Sequence, residues 1–248
     1  MYNASAGRPT YGHRIGILMQ RDTLVRIPGD VGNLTTYAFP VSFRVVEEFP
    51  VGLIQSEEVL RYAPQFVAAA QALEADGCRA IATGCGFLTL LQPILAAAVS
   101  VPVATSALIQ VPLVAAMLPA GRKVGIITVN AANLSERHCE AVGWSPRRVP
   151  VSVIGVDEQP DSCFTRATLS RVGAEPELLA QVEAELVALA QRLVERDPTV
   201  GAIVLECTNM PPYAHAIQRA VGLPVFDIVT LINMLHESVA RRPYVGYC

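Results

Sequence analysis

The chain echoes itself. Shifting the sequence by 122 residues lays Ala80-Ile81 on Ala202-Ile203, Cys85 on Cys207, and Pro102-Val103 on Pro224-Val225. Each of these cysteines is followed, after 16 residues, by the Pro-Val that opens a short β-branched run. The Ala/Leu-rich runs superpose as well, Ser56 to Ala75 on Pro176 to Arg196 and Leu108 to Leu118 on Val229 to Arg241. With a different offset, the Ile-Gly-Ile-Leu of 15–18 resembles the Val-Gly-Ile-Ile of 124–127. Self-similarity on this scale marks a duplicated unit. It divides the chain into an N-terminal lobe over 1–121 with Cys85 and a C-terminal lobe over 122–248 with Cys207, the last helix being free to pack back on the first lobe.

The repeated unit is α/β. Short β-branched runs alternate with longer Ala/Leu-rich ones, the pattern of βα units feeding a parallel sheet. Strands are predicted over 14–18, 43–46, 80–83, 102–105, 123–128, 151–156, 202–205 and 224–227, and helices over 56–75, 88–99, 108–118, 132–142, 176–196, 212–221 and 229–241. The fold class is therefore two pseudo-symmetric Rossmann-like lobes with parallel sheets and a site in the cleft between them. The segment 20–36, containing Pro-Gly-Asp-Val-Gly-Asn, has no period and reads as a long loop.

Composition removes several classes of function. Nineteen Lys plus Arg against 22 Asp plus Glu, with no basic tract, give nothing to follow a nucleic-acid backbone. Between Arg79 and Arg122 there is no charged residue or histidine, yet Pro93, Pro102, Pro112 and Pro119 cut the stretch below the roughly 20 apolar residues of a membrane span. A helix over 108–118 that is apolar all round must hide every face, which predicts a homo-oligomer. The N-terminus lacks the apolar core of a secretory signal, so the expected compartment is cytoplasmic. Six cysteines at irregular spacing and four scattered histidines predict reduced thiols and no metal site. Cys78, Cys139, Cys163 and Cys248 read as small buried hydrophobes.

Cys85 and Cys207 are different, because both lie where predicted strands end. Ligands of parallel α/β sheets sit beyond the carboxyl ends of the strands, where the next helix points its N-terminus. Pro211 or Pro212 suits a first helical position, Thr208 or Asn209 suits the cap, and the helix end favours a thiolate. If the lobes face each other, the two sulfurs approach a small molecule from opposite sides. One thiolate can then remove a proton from a carbon beside a carboxylate or cyclic amide while the other thiol returns one, inverting the centre without metal or organic cofactor. The developing enolate needs aimed donors, for which Gly84, Gly86, Thr208, Asn209 and nearby N–H groups are the candidates. Thr128, at the end of its strand, is a lesser candidate for the substrate carboxylate. Asn33 and Asp30 read equally as turn residues or as contacts from a loop that caps the cleft.

The motifs Ala-Thr-Gly-Cys-Gly-Phe-Leu (82–88), Leu-Glu-Cys-Thr-Asn-Met-Pro-Pro-Tyr (205–213) and Gly-Leu-Pro-Val-Phe-Asp-Ile-Val (222–229), with the two-lobe repeat, resemble the aspartate/glutamate/hydantoin racemase superfamily. The resemblance covers about 14–236 and implies cofactor-independent catalysis by Cys85 and Cys207; Phe87, in the first motif, is a further candidate for substrate contact. Departures are Gly86-Phe87 after the first cysteine, where an Asn-Thr is usual, and Glu206 before the second. The acidic residue expected after the first strand is met only loosely by Asp22 or Asp30. The function read here is thus a racemase or epimerase of an amino acid or hydantoin-like substrate. Cis-trans isomerisation, decarboxylation of a small dicarboxylate, and a two-lobed protein that only binds a small anion stay open.

Overall fold

The computed structural model describes residues 11–22, 24–47, 49–159, 161–169 and 175–246. Among these residues eight strands form two parallel four-stranded sheets: β1 (Ile15–Gln20), β2 (Val41–Val46), β3 (Ala80–Thr83) and β4 (Val103–Ala104), then β5 (Lys123–Thr128), β6 (Val151–Gly155), β7 (Val200–Leu205) and β8 (Val225–Phe226). Their orders are the same, β2-β1-β3-β4 and β6-β5-β7-β8. The register repeats too, since Ile81 pairs with Val103 and Ile203 with Val225 at the displacement found in the sequence.

Helices α1 (Ala63–Asp76), α2 (Gln92–Ala98), α3 (Val111–Met117), α4 (Glu136–Ala141), α5 (Cys163–Leu169), α6 (Pro176–Arg196), α7 (Ala214–Val221) and α8 (Ile228–Val239) flank the sheets. Several predicted helices begin instead as 3₁₀ turns, at Glu57–Tyr62, Gly86–Leu91, Ala107–Gln110 and Pro211–Tyr213. In the first three cases the α-helix then starts around Pro64, Pro93 or Pro112, which lack an N–H and fit only a first turn. The helix expected from 132 starts at Glu136, because the Ala131 and Ala132 N–H groups donate to the Asp157 carboxylate. No element was expected over 163–169, where α5 lies.

The lobes exchange helices. On one face of the first sheet, Leu18 and Ile81 pack against Phe66 and Leu73 of α1 and Leu95 of α2. On the other, Ile15, Ile17, Ala80 and Ala82 pack against Ile228, Leu231 and Ile232 of α8, from the far end of the chain. Reciprocally, Leu108, Val111 and Val114, from the 3₁₀ turn and α3 after β4, cover Val124, Ile126, Ala202 and Val204 of the second sheet. Val182, Leu186, Leu189 and Leu193 of α6 cover its opposite face. Each sheet therefore needs a helix that follows the other sheet's last strand. Gln110 pins the exchange, its amide nitrogen donating to the Asp227 carbonyl at 2.9 Å. Much of the uncharged stretch is thus interior. Yet Ile94, Leu113 and Met117 are 36, 50 and 59 % exposed. Among the described residues no helix is long and apolar enough to cross a membrane.

Candidate active site

β3 and β7 are buried throughout or nearly so, and each ends two residues before a cysteine. Past the strand end both chains turn alike, with Leu88 N–H donating to the Cys85 carbonyl at 3.3 Å and Met210 N–H to the Cys207 carbonyl at 3.1 Å. The backbone N–H of Phe87 meets the Cys85 sulfur, and that of Asn209 meets the Cys207 sulfur. Both cysteine residues keep partial solvent access.

The two turns are joined directly. Thr208 Oγ1 donates to the Gly84 carbonyl at 2.7 Å. Gly86 lies against Glu206, so closely that a methyl group there would sit 2.1 Å from the Glu206 carbonyl oxygen and 2.2 Å from Oε1. The residues on either side of Cys85 therefore touch the residues on either side of Cys207, and the thiols lie in one locus where their charges interact. Gly84 is equally tight, with Met19 Sδ 2.6 Å from where a Cβ would be. A side chain at Gly86 would push the two cysteine turns apart, and one at Gly84 would collide with Met19 of the neighbouring strand β1.

The long loop after β1 closes over this junction. Val31 N–H reaches the Thr208 carbonyl at 3.4 Å. Asn209 Nδ2 donates to Asp30 Oδ2 at 2.7 Å, and Asp30 Oδ1 accepts from Arg26 at 3.0 Å and from Gly32 N–H at 2.8 Å. Arg26 also pairs with Asp22 at 2.6 Å. This chain orients the Asn209 carbonyl oxygen, which accepts from the Cys207 thiol at 3.7 Å. Beside Asp30 and Asn209 a recess of about 30 Å³ is lined by Leu24, Ile27, Phe164, Val182 and Tyr213.

Electrostatics at the sulfurs runs opposite to the sequence reading, which expected the helix starts to favour thiolates. Burial raises both thiols above their ordinary range, and the Glu206 carboxylate raises them further. The Phe87 and Asn209 N–H groups pull the other way and lose. Arg26 lowers Cys85, whereas Asp30 raises Cys207. Desolvation of an anion outweighs one N–H per sulfur, so both cysteines are held as thiols.

The other candidate residues are engaged with protein atoms. Thr128 Oγ1 donates to Glu206 Oε2 at 2.8 Å, not to open cleft. Asn33 donates to the Arg26 carbonyl and accepts from Thr35 N–H and Oγ1, which shapes the loop. The Phe87 ring is buried edge-on to His138, its centroid 5.6 Å away, so Phe87 reaches the site through its N–H. Thr208 bridges the lobes and Asn209 holds Cys207; neither caps a helix by its side chain. Asp227 caps α8, accepting from Thr230 N–H at 2.8 Å. Cys78 and Cys139 are buried as expected, Cys163 is only half-buried beside Arg166, and Cys248 lies outside the described residues. Among the described residues no cluster of three or more His, Cys, Asp or Glu has metal-holding geometry.

Sequence reasoning noted Glu206 only as a departure. It is 1 % exposed, its Oε1 has no hydrogen-bond partner, and burial pushes its pKa up to about 7 against the pull of Thr128 and the Val129 N–H. A carboxylate continuing a wholly apolar strand directly before a cysteine was the available signal.

The chain has recognisable kin. Dimethylsulfoniopropionate lyase 3 of Emiliania huxleyi (strain CCMP1516) is 29 % identical over 229 residues, covering 88 % of this chain and 57 % of that protein. The dimethylsulfoniopropionate lyase of Durusdinium sp. clade D is 26 % identical over 229 residues, covering 89 % and 73 %. This chain thus spans a little over half the length of the first of these. Among solved structures, a point mutant of arylmalonate decarboxylase in a sulfate-associated form superposes with a TM-score of 0.62 at 18 % identity, covering 94 % and 98 %. Glutamate racemase RacE1 of Bacillus anthracis superposes at 0.58 and 17 %, covering 91 % and 82 %. These structures share the two-sheet α/β architecture described above. The Asp/Glu/Hydantoin racemase model matches residues 108–233, half of the chain and all of the second cysteine turn, and with the duplicated sheets this places the chain in the Asp/Glu/hydantoin racemase family.

Proposed function

We propose that the chain is a cofactor-independent carbon-acid enzyme in which Cys85, as thiolate, removes a proton from the carbon beside a small substrate's carboxylate. The observation that supports this is the direct junction of the two cysteine turns through Thr208–Gly84 and Gly86–Glu206, which brings Cys85 and Cys207 to one place between the lobes. We assign Cys85 as the base, where Arg26 eases the thiolate against burial and the Glu206 charge, and Cys207, whose thiol donates to Asn209 Oδ1, as the acid. N–H groups of the two turns are the donors available to the enolate charge.

The fate of the deprotonated substrate depends on its next carbon. The similarity to dimethylsulfoniopropionate lyases over most of the chain favours β-elimination. In that compound, taking the α-proton onto Cys85 forms the carbon–carbon double bond as the carbon–sulfur bond breaks; neutral dimethyl sulfide leaves with the bond's electron pair, and acrylate remains. A neutral leaving group needs no acid, so elimination demands one thiol. Headspace measurement of dimethyl sulfide with acrylate quantified in solution tests this: equal release by the wild type, lost in Cys85→Ala and largely kept in Cys207→Ala, is expected. No release by the wild type sinks the elimination.

Inversion is the second reading, favoured by two thiols in like turns. It predicts solvent deuterium entering the α-carbon of an amino-acid or hydantoin enantiomer, and loss of racemisation in both single cysteine variants.

A further inference from the structure

The loop after β1 carries a carboxylate, Asp30, whose two oxygens do different things. Oδ1 accepts from Arg26 and from the Gly32 N–H, which shapes the loop. Oδ2 reaches out of the loop and accepts from Asn209 Nδ2, in the other lobe and two residues beyond Cys207. Shaping the loop needs Oδ1 alone, an atom that asparagine also has, and Arg26 has Asp22 as a second carboxylate. The second oxygen and the charge are left for Asn209. Asp30 is 2 % exposed, so that bond is shielded from water.

A carboxylate only accepts hydrogen bonds, so it settles which end of the Asn209 amide it meets. Nδ2 faces Asp30, Oδ1 then faces Cys207, and the polar side-chain atom nearest along this relay to the sulfur is an acceptor 3.7 Å away. Against an acceptor only the protonated sulfur can make a bond; a thiolate would meet oxygen lone pairs. We propose that Asp30 is a positioning residue which, by fixing the Asn209 amide, holds Cys207 as the hydrogen-bond donor and so leaves Cys85 as the base of the pair. This role rests on the thiol chemistry proposed above and bears on its outcome. Inversion in both directions needs each thiol to serve in turn as base, whereas elimination needs one. The Asp30–Asn209 bond thus favours the one-base reaction.

The charges around the sulfurs act in the same sense. At Cys207 burial, Glu206, Cys85 and Asp30 all oppose a thiolate, against the Asn209 N–H. The charges acting on Cys85 are those of Glu206, Arg26 and Asp22. Asp30→Asn separates the two thiols on this basis. Its Oδ1 stays with the Arg26 and Gly32 donors, so its new NH2 takes the place of Oδ2. Two NH2 groups cannot bond to each other, and Asn209 must turn over, presenting Nδ2 to the Cys207 sulfur. The variant therefore removes a charge that opposes the thiolate and supplies a donor that favours it.

Iodoacetamide alkylation of the intact protein, with Cys85 and Cys207 read separately by peptide mass spectrometry across neutral and mildly alkaline pH, tests this without any substrate. In Asp30→Asn the Cys207 pKa should fall by about one unit. Thiolate at a given pH then rises about tenfold, and its lower nucleophilicity offsets about threefold of that, so Cys207 should react about threefold faster relative to Cys85. Asn209→Leu, which has no amide to turn, provides the second background. Adding Asp30→Asn to it removes the charge without supplying the donor and should raise Cys207 reactivity by less. Equal gains in the two backgrounds overturn the proposal, because charge or access alone then accounts for them. An unchanged Cys207 in Asp30→Asn, or a rise shared equally by both cysteines, overturns it as well. If Cys207 responds as expected but no substrate exchanges its α-proton with solvent, the role of Asp30 stands and the carbon-acid reading fails.

Discussion

Gly86→Ala puts the central geometric claim under the strongest load. A methyl group at Gly86 would lie 2.1 Å from the Glu206 carbonyl oxygen and 2.2 Å from Oε1. Ordinary carbon–oxygen contact is about 3.3 Å, so about 1 Å of overlap must be relieved on two fronts. Neither obstacle yields cheaply. One is backbone, tied by Glu206 N–H to the Ile127 carbonyl at 2.9 Å, and the other is anchored by Thr128. The remedy is to move one cysteine turn, breaking the Thr208–Gly84 bond. Overpacking on this scale costs about 1–3 kcal/mol, or about 2–12 °C in Tm for a chain of this size. A displacement of about 1 Å between catalytic groups costs about 100-fold in rate. Urea unfolding gives the stability change as a shift in midpoint at constant slope. Gly52→Ala, where no atom lies within 4 Å of the added methyl, is the control and should unfold like the wild type. A Gly86→Ala protein with wild-type midpoint and wild-type Cys85 alkylation would refute the contact between the two turns.

Thr208→Val strands the buried Gly84 carbonyl and should destabilise by about 1–3 kcal/mol in urea, with loss of activity exceeding loss of fold. For Glu206 the folded pKa lies above the unfolded value of about 4.3, so its favourable contribution is complete below that pH and fades as pH rises through about 7. The stability of Glu206→Gln relative to wild type should therefore increase between pH 5 and 8 in paired urea titrations; a flat difference would contradict a buried carboxyl of raised pKa. The exposed Leu113 and Met117 on α3 are proposed to be covered by a second copy, so sedimentation equilibrium should report a dimer or larger species that Met117→Glu weakens. A monomer at high micromolar concentration would remove that proposal.

Much of the architecture was legible from residues alone because burial on both faces of a parallel strand leaves a continuous apolar run. The runs ending at Thr83 and Leu205 were read at or near their observed ends, and α6 was read at its observed bounds because it is long and amphipathic. The 3₁₀ lead-ins were not legible, since the same side chains suit either helix and proline only excludes the α-helical interior. Nor was the engagement of Thr128, Thr208 and Asn33 by protein partners, because a hydroxyl or amide in a sequence does not announce which neighbour will take its hydrogen bonds.

The sequence by itself determined the duplication, the parallel α/β sheets and the two thiols at equivalent strand ends, all of which come from local periodicity and from matched residues at a fixed separation. Tertiary structure decided the rest: that each sheet is closed by a helix following the other sheet, that Gly86 lets the cysteine turns meet, and that the buried Glu206 lies against Gly86 at that junction. It also decided the sign of the thiol shifts. Helix starts and N–H groups can be counted along a chain, but the desolvation that outweighs them depends on everything packed around the sulfur, and only the folded arrangement supplies that.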